Sequence, residues 1–218
     1  VLPLTAPLRS RVAVEALGTF FLVLIGPGAA MADAWSGGRV TQVGVSLAFA
    51  FVITAVVAAF GPVSGAHINP AVSIALAWRG RLHRSELVPY VVAQLSGAVV
   101  AAALLRYLLG PVGHNGATLP ALGIARSFVL ECVMSLALGI VVFRGRGALA
   151  PLAIGMTVGV CALMGGTLTG ASMNPARSFG PALVGGEWAG HWIYWIAPIV
   201  GMMLAAGVDR GLGSISEP

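Results

Sequence analysis

Asn-Pro-Ala occurs twice in this chain, at Asn69-Pro70-Ala71 and Asn174-Pro175-Ala176, inside the related frames 64–75 and 169–180. The identities between the frames fall on Gly, Ala, Asn, Pro and Ser, residues that shape backbone and present hydrogen bonds. Apolar stretches of about 20 residues, the length that crosses ~30 Å of hydrocarbon, lie near 11–32, 40–60, 87–109, 124–143, 149–167 and 190–209. Each motif therefore belongs to a half with three crossings, giving repeats of about 10–109 and 124–210 within a single transmembrane domain, 1–218. Three is odd, so the halves enter the membrane from opposite faces and the two loops meet near its midplane. An all-α membrane fold with six crossing helices and a two-sided pore is expected.

Composition narrows the class. The chain is 58% hydrophobic and 9% charged, with mean hydropathy +0.94, whereas soluble domains carry roughly 25% charged residues. The twelve basic residues are all Arg. If the spans alternate, Arg9, Arg11, Arg79, Arg81, Arg84, Arg144, Arg146 and Arg210 share one side, against Arg39 and Arg126 on the other, with Arg106 near that second side. That asymmetry places both termini in the cytoplasm. It explains the basic balance without a nucleic-acid partner, which would need a clustered basic patch on a soluble face. Cys132 and Cys161 lie in apolar stretches as small hydrophobes. No His and carboxylate set has metal-ligand spacing and no nucleophile has a base partner, so neither metal, cofactor nor enzymatic activity is expected.

The stretch after each motif, 72–78 and 178–184, is too short to cross but long enough for a half-helix. Asn is a favoured N-cap and Pro a favoured first helical residue, so both half-helices start at the motifs. Their N-termini concentrate positive potential at mid-membrane, about half an elementary charge each, and oppose cations. With each Asn carbonyl capping its own helix, the amides of Asn69 and Asn174 face the lumen as donors. The non-helical residues before each motif can expose carbonyl acceptors where they line a wet cavity. His67 is expected to line the pore or adjoin it. Glu15 and Glu131, matched between the halves, are the acids deep in spans; they suit accepting hydrogen bonds from the loops, while a coupled transporter would use them as ion sites.

These motifs, with the second reading Asn-Pro-Ala-Arg-Ser-Phe-Gly-Pro-Ala, resemble the aquaporin, or major intrinsic protein, family over essentially the whole chain. The resemblance implies six tilted helices plus two re-entrant half-helices around one pore per chain, and a homotetramer in the lipid bilayer. It carries the family's selectivity filter onto Phe49, Ala162, Ala171 and Arg177. Strict water channels in the family resemble Phe, His, a small residue and Arg, so Ala162 removes a donor and widens the ring. The expected activity is passive conduction of water, with small uncharged solutes such as glycerol, urea, hydrogen peroxide and ammonia, excluding protons and ions. The alternative is a secondary transporter on the same inverted repeat. Compact size and short loops resemble bacterial inner-membrane members, and the second motif also resembles members from plant vacuoles.

Overall fold

The computed structural model describes residues 6–213, and among them all regular structure is helical. In chain order the helices are α1 (Leu8–Trp35), α2 (Thr41–Ser64), α3 (Pro70–Trp78), α4 (Arg84–Leu109), α5 (Ile124–Arg144), α6 (Ala150–Thr169), α7 (Pro175–Gly185) and α8 (Ile193–Gly211). Six of them are long and apolar enough to cross a membrane, and α3 and α7 are the half-helices. The expected architecture is the observed one.

Boundaries differ from the apolar stretches where backbone chemistry overrides hydropathy. α2 and α6 run on to Ser64 and Thr169, then stop at Gly65 and Gly170, each with φ 86. That left-handed turn is where glycine ends a helix at little steric cost. The last crossing starts at Ile193 rather than near 190, because Gly190 adopts φ 65 and the segment around Trp188 and His191 forms turns instead. The half-helices start at the prolines, one residue after each Asn cap.

The halves interlock. α1 packs on α4 and α5 on α8, while α2 and α6 cross between halves. Close approach comes from small residues: a Cβ on Gly97 of α4 would run into the Ala16 carbonyl of α1, and one on Gly201 of α8 into the Cys132 carbonyl of α5. α7 rests against α4 and α3 against α8, so each half-helix is seated on the last crossing of the opposite half. The largest buried cluster gathers Leu22, Phe49, Ile53, Met134, Leu138 and Met202 from both halves. Cys132 and Cys161 are free thiols, and the Cys132 thiol donates to the Ala197 carbonyl.

Candidate pore site

Each motif builds its own helix start. The Asn69 side-chain oxygen accepts from Ala71 N at 2.9 Å, and that of Asn174 from Ala176 N at 2.9 Å and Arg177 N at 3.3 Å. The amide ends cross over: Asn69 Nδ2 donates to the Met173 carbonyl and Asn174 Nδ2 to the Ile68 carbonyl, both at 2.8 Å. The two loops are thus clamped to each other at the midpoint, and the amides do not face the lumen with both hydrogens as expected. One N–H of each amide holds the opposite loop; the other is left for whatever occupies the cavity.

The loops before the motifs are strained. Ala66 and Ile68 adopt φ 44 and 45, and their counterparts Ala171 and Met173 adopt φ 43 and 52. Left-handed backbone costs a side-chain-bearing residue on the order of 1–2 kcal/mol. A buried carboxylate in each half offsets it. Glu15 accepts from His67 N at 2.9 Å, Ile68 N at 2.7 Å, Ser64 Oγ at 2.7 Å and Gln94 Nε2 at 2.8 Å. Glu131 accepts from Ser172 N at 2.9 Å, Met173 N at 2.8 Å and Thr169 Oγ1 at 2.7 Å. Hydrogen bonds to a charged group contribute about 1.5–3 kcal/mol each, so three or more of them exceed the strain of two residues. Both carboxylates are fully buried with every oxygen hydrogen-bonded, and neither lines the cavity.

A cavity of ≈ 70 Å³ lies between the halves, with Phe49, Val57, Asn69, Val142, Asn174 and Arg177 among the residues that line it. That is well above the ~10–15 Å³ a cavity needs to hold a water, so there is room for water between the two motifs and Arg177. His67 lies on its wall, and its Nδ1 is 3.0 Å from Ser73 Oγ. Of the four expected filter positions, Phe49 and Arg177 line the cavity, with the guanidinium carbon 5.1 Å from the centre of the Phe49 ring, a cation–π distance. Ala162 and Ala171 are buried but are not among the residues that line it. Arg177 Nη1 donates to the Gly116 carbonyl at 2.8 Å, while its buried Nε meets no protein acceptor. Among the described residues Arg177 makes no salt bridge, so its charge stays uncompensated by a direct carboxylate partner.

A family model described as Major intrinsic protein matches residues 5–208. The chain belongs to the major intrinsic protein family. "Aquaporin TIP4-4" of Zea mays is 43% identical over 214 residues, spanning 91% of this chain and 84% of the relative. "Nodulin-26" of Glycine max is 38% identical and spans 94% and 78% of the two chains. In shape, the chain is similar to the aquaglyceroporin from Plasmodium falciparum, with TM-score 0.81 at 22% identity, over 94% of this chain and 97% of that one. That likeness concerns the fold. As a major intrinsic protein, the chain is an integral multi-pass membrane protein of a channel family.

Several residues that hold the pore of this major intrinsic protein went unread in the sequence. Gly116 comes from the 110–123 connection, whose composition suggests only a solvated loop, yet it supplies the Arg177 acceptor. Tyr90 and Tyr194 donate to the carbonyls of Ser64 and Thr169 at 2.9 and 2.7 Å, fixing the ends of α2 and α6. Gln94 bridges Glu15 and Ser73. Comparison of the two halves could have found the tyrosines, which recur one residue out of register with the motif spacing. Gln42 gives no such signal; its Nε2 donates to the carbonyl of Ala162, an expected filter position, at 2.6 Å.

Proposed function

We propose that this major intrinsic protein is a passive pore for water and for small uncharged solutes such as glycerol, urea, hydrogen peroxide and ammonia, excluding protons and other ions. The observation that carries the reading is the meeting of two half-helix N-termini at Asn69 and Asn174, beside a cavity that Arg177 also lines. Both dipoles and the guanidinium put positive potential on the path, which opposes cations. A water accepting from a fixed Asn N–H is oriented by it, and an oriented water is poorly placed to relay a proton. The apolar remainder of the wall, including Val57, Ile154 and Val158, offers no binding site to hold a solute back.

In this reading Asn69, Pro70, Ala71, Asn174, Pro175 and Ala176 form the central constriction, and Phe49, Ala162, Ala171 and Arg177 the filter. His67 adjoins the cavity, and Glu15 and Glu131 support the loops. The side chain missing at Ala162 leaves room for solutes larger than water. The whole chain acts as one channel domain, four copies assemble in the bilayer, and the arginine distribution supports both termini lying in the cytoplasm. The short loops favour a bacterial inner membrane.

Stopped-flow light scattering on proteoliposomes tests the function. Protein-dependent shrinkage in an impermeant osmolyte, followed by accelerated re-swelling in glycerol and urea, is expected. An Asn174→Asp, Arg177→Val double variant should lose the solute selectivity. Water flux no faster than in empty vesicles would overturn the reading.

A further inference from the structure

The two half-helices carry a serine at matched positions, Ser73 in α3 and Ser178 in α7. Each is hydrogen-bonded to the residue six earlier, His67 or Ser172, and both of those line the cavity. A third side chain holds each serine from behind: Gln94 of α4 in the first half, Thr118 of the 110–123 connection in the second. Ser73, Gln94 and Ser178 are fully buried, so every hydrogen in these chains must be placed on a protein atom. Placing them gives opposite results in the two halves.

In the second half the protein consumes them all. Thr118 Oγ1 donates to Ser178 Oγ at 2.8 Å, and Ser172 Oγ donates to the Asn174 carbonyl at 2.9 Å. The hydrogen between Ser178 and Ser172, whose oxygens are 2.5 Å apart, therefore belongs to Ser178. Ser172 Oγ also accepts from Asn174 N at 3.3 Å, so its one hydrogen and both lone pairs are engaged. Although it lines the cavity, Ser172 has no donor to offer there.

In the first half one hydrogen is left over. Glu15 Oε2 is an acceptor that already takes Ile68 N at 2.7 Å, so the end of Gln94 that lies 2.8 Å from it is the NH₂. The second hydrogen of that NH₂ goes to Ser73 Oγ at 2.9 Å, while Gln94 Oε1 is buried and takes none. The Ser73 hydroxyl hydrogen then has one acceptor within reach among the described residues, His67 Nδ1 at 3.0 Å. Nδ1 accordingly carries the lone pair and Nε2 the proton. Nε2 has no protein partner among the described residues and is not sealed off; it lies beside Gly65, another lining residue, 3.0 Å from where a Cβ on that glycine would stand. We infer that Ser73, with Gln94 donating to it, is a positioning residue that locks His67 as the Nε2–H tautomer, which gives the cavity wall a donor for solutes with an acceptor oxygen at the place where the matched Ser172 offers none. The lone pair on Nδ1 is turned into Ser73, so that edge of the ring is closed to protons from water in the cavity. The inference rests on reading the cavity as a pore.

The test is ¹⁵N NMR of the whole chain in nanodiscs at neutral pH with its four histidines labelled, His67→Gln identifying the His67 signals by difference. A proton coupled to Nε2 and none to Nδ1 is expected in the wild type. A proton on Nδ1, or on both nitrogens, overturns the proposal, and the wild-type spectrum decides this whether or not any variant folds. Ser73→Ala removes the hydroxyl hydrogen and should move the tautomer ratio about two- to tenfold toward Nδ1–H, the effect of one hydrogen bond; a ratio that stays put overturns the role of Ser73. In proteoliposomes Ser73→Ala should lower water flux about twofold as channels with the other tautomer lose the donor, and unchanged flux beside a shifted ratio overturns the part played by the donor in passage. Failure of the pore reading looks different: wild-type vesicles would then show no protein-dependent water flux, whatever the spectrum.

Discussion

Glu15 and Glu131 are fully buried carboxylates whose oxygens are occupied by loop amides and hydroxyls. Replacing Glu131 by Gln turns one acceptor oxygen into a donor facing a backbone N–H, so Glu131→Gln should lower stability by about 2 kcal/mol and reduce water flux as the second loop loosens. Unfolding in detergent and proteoliposome flux read the two effects. Ala162 is the residue that sets how broad the filter is in the proposed function. Ala162→His should cut glycerol and urea re-swelling while water shrinkage persists; unchanged solute flux would remove Ala162 from the filter. His191 lies outside the crossings, packed against Trp188 with ring centres 4.9 Å apart, and accepts from Trp195 Nε1 at 3.3 Å. Burial lowers its pKa from the ordinary 6.5. The folded state then binds fewer protons than the unfolded one, so this stability is complete above pH 6.5 and is lost as the pH falls below it. Thermal melts across that range should slope downward in acid, and His191→Gln should flatten the slope.

At the scale of elements, the crossings of α1 with α4 and of α5 with α8 rest on glycine at the contact. Gly97→Leu pushes a side chain into the Ala16 carbonyl, which backbone cannot yield to without separating the helices. The expected cost is about 1–3 kcal/mol or more, and because α7 rests on α4, the effect should reach Arg177 and slow water flux. Gly207, whose Cβ would meet nothing within 4 Å, is the control on α8, where Gly207→Ala should leave folding unharmed. The half-helices show why local sequence was informative: Asn at the cap and Pro at the first position determine where they start, whatever their surroundings. The limits of α8 were less legible, because Trp188 to Trp192 are as apolar as a helix there but Gly190 turns the chain.

Across the whole molecule, the pore lies between two halves that neither could enclose alone. Its wall takes Ile53 and Asn69 from the first half and Leu138, Ile154 and Asn174 from the second. The proposed passive mechanism predicts flux that stays linear with the osmotic gradient and has a low activation energy. Saturation with solute, or dependence on a proton gradient, would point to a carrier instead. Both measurements come from the same proteoliposomes over a range of gradients and temperatures.

The sequence by itself determined the class, the six crossings, the inverted pairing of the halves and the two helix starts. Those follow from hydropathy, from an odd number of crossings per half and from capping chemistry, which act over a few residues or through simple counting. Only the tertiary structure decided that each Asn amide clamps the opposite loop, that Gly116 supplies the acceptor for Arg177, and that Arg79, Arg81 and Arg144, from two segments, converge on Asp209. Each of these joins residues distant along the chain. Their geometry depends on how the helices cross, and no periodicity or motif in the sequence encodes that.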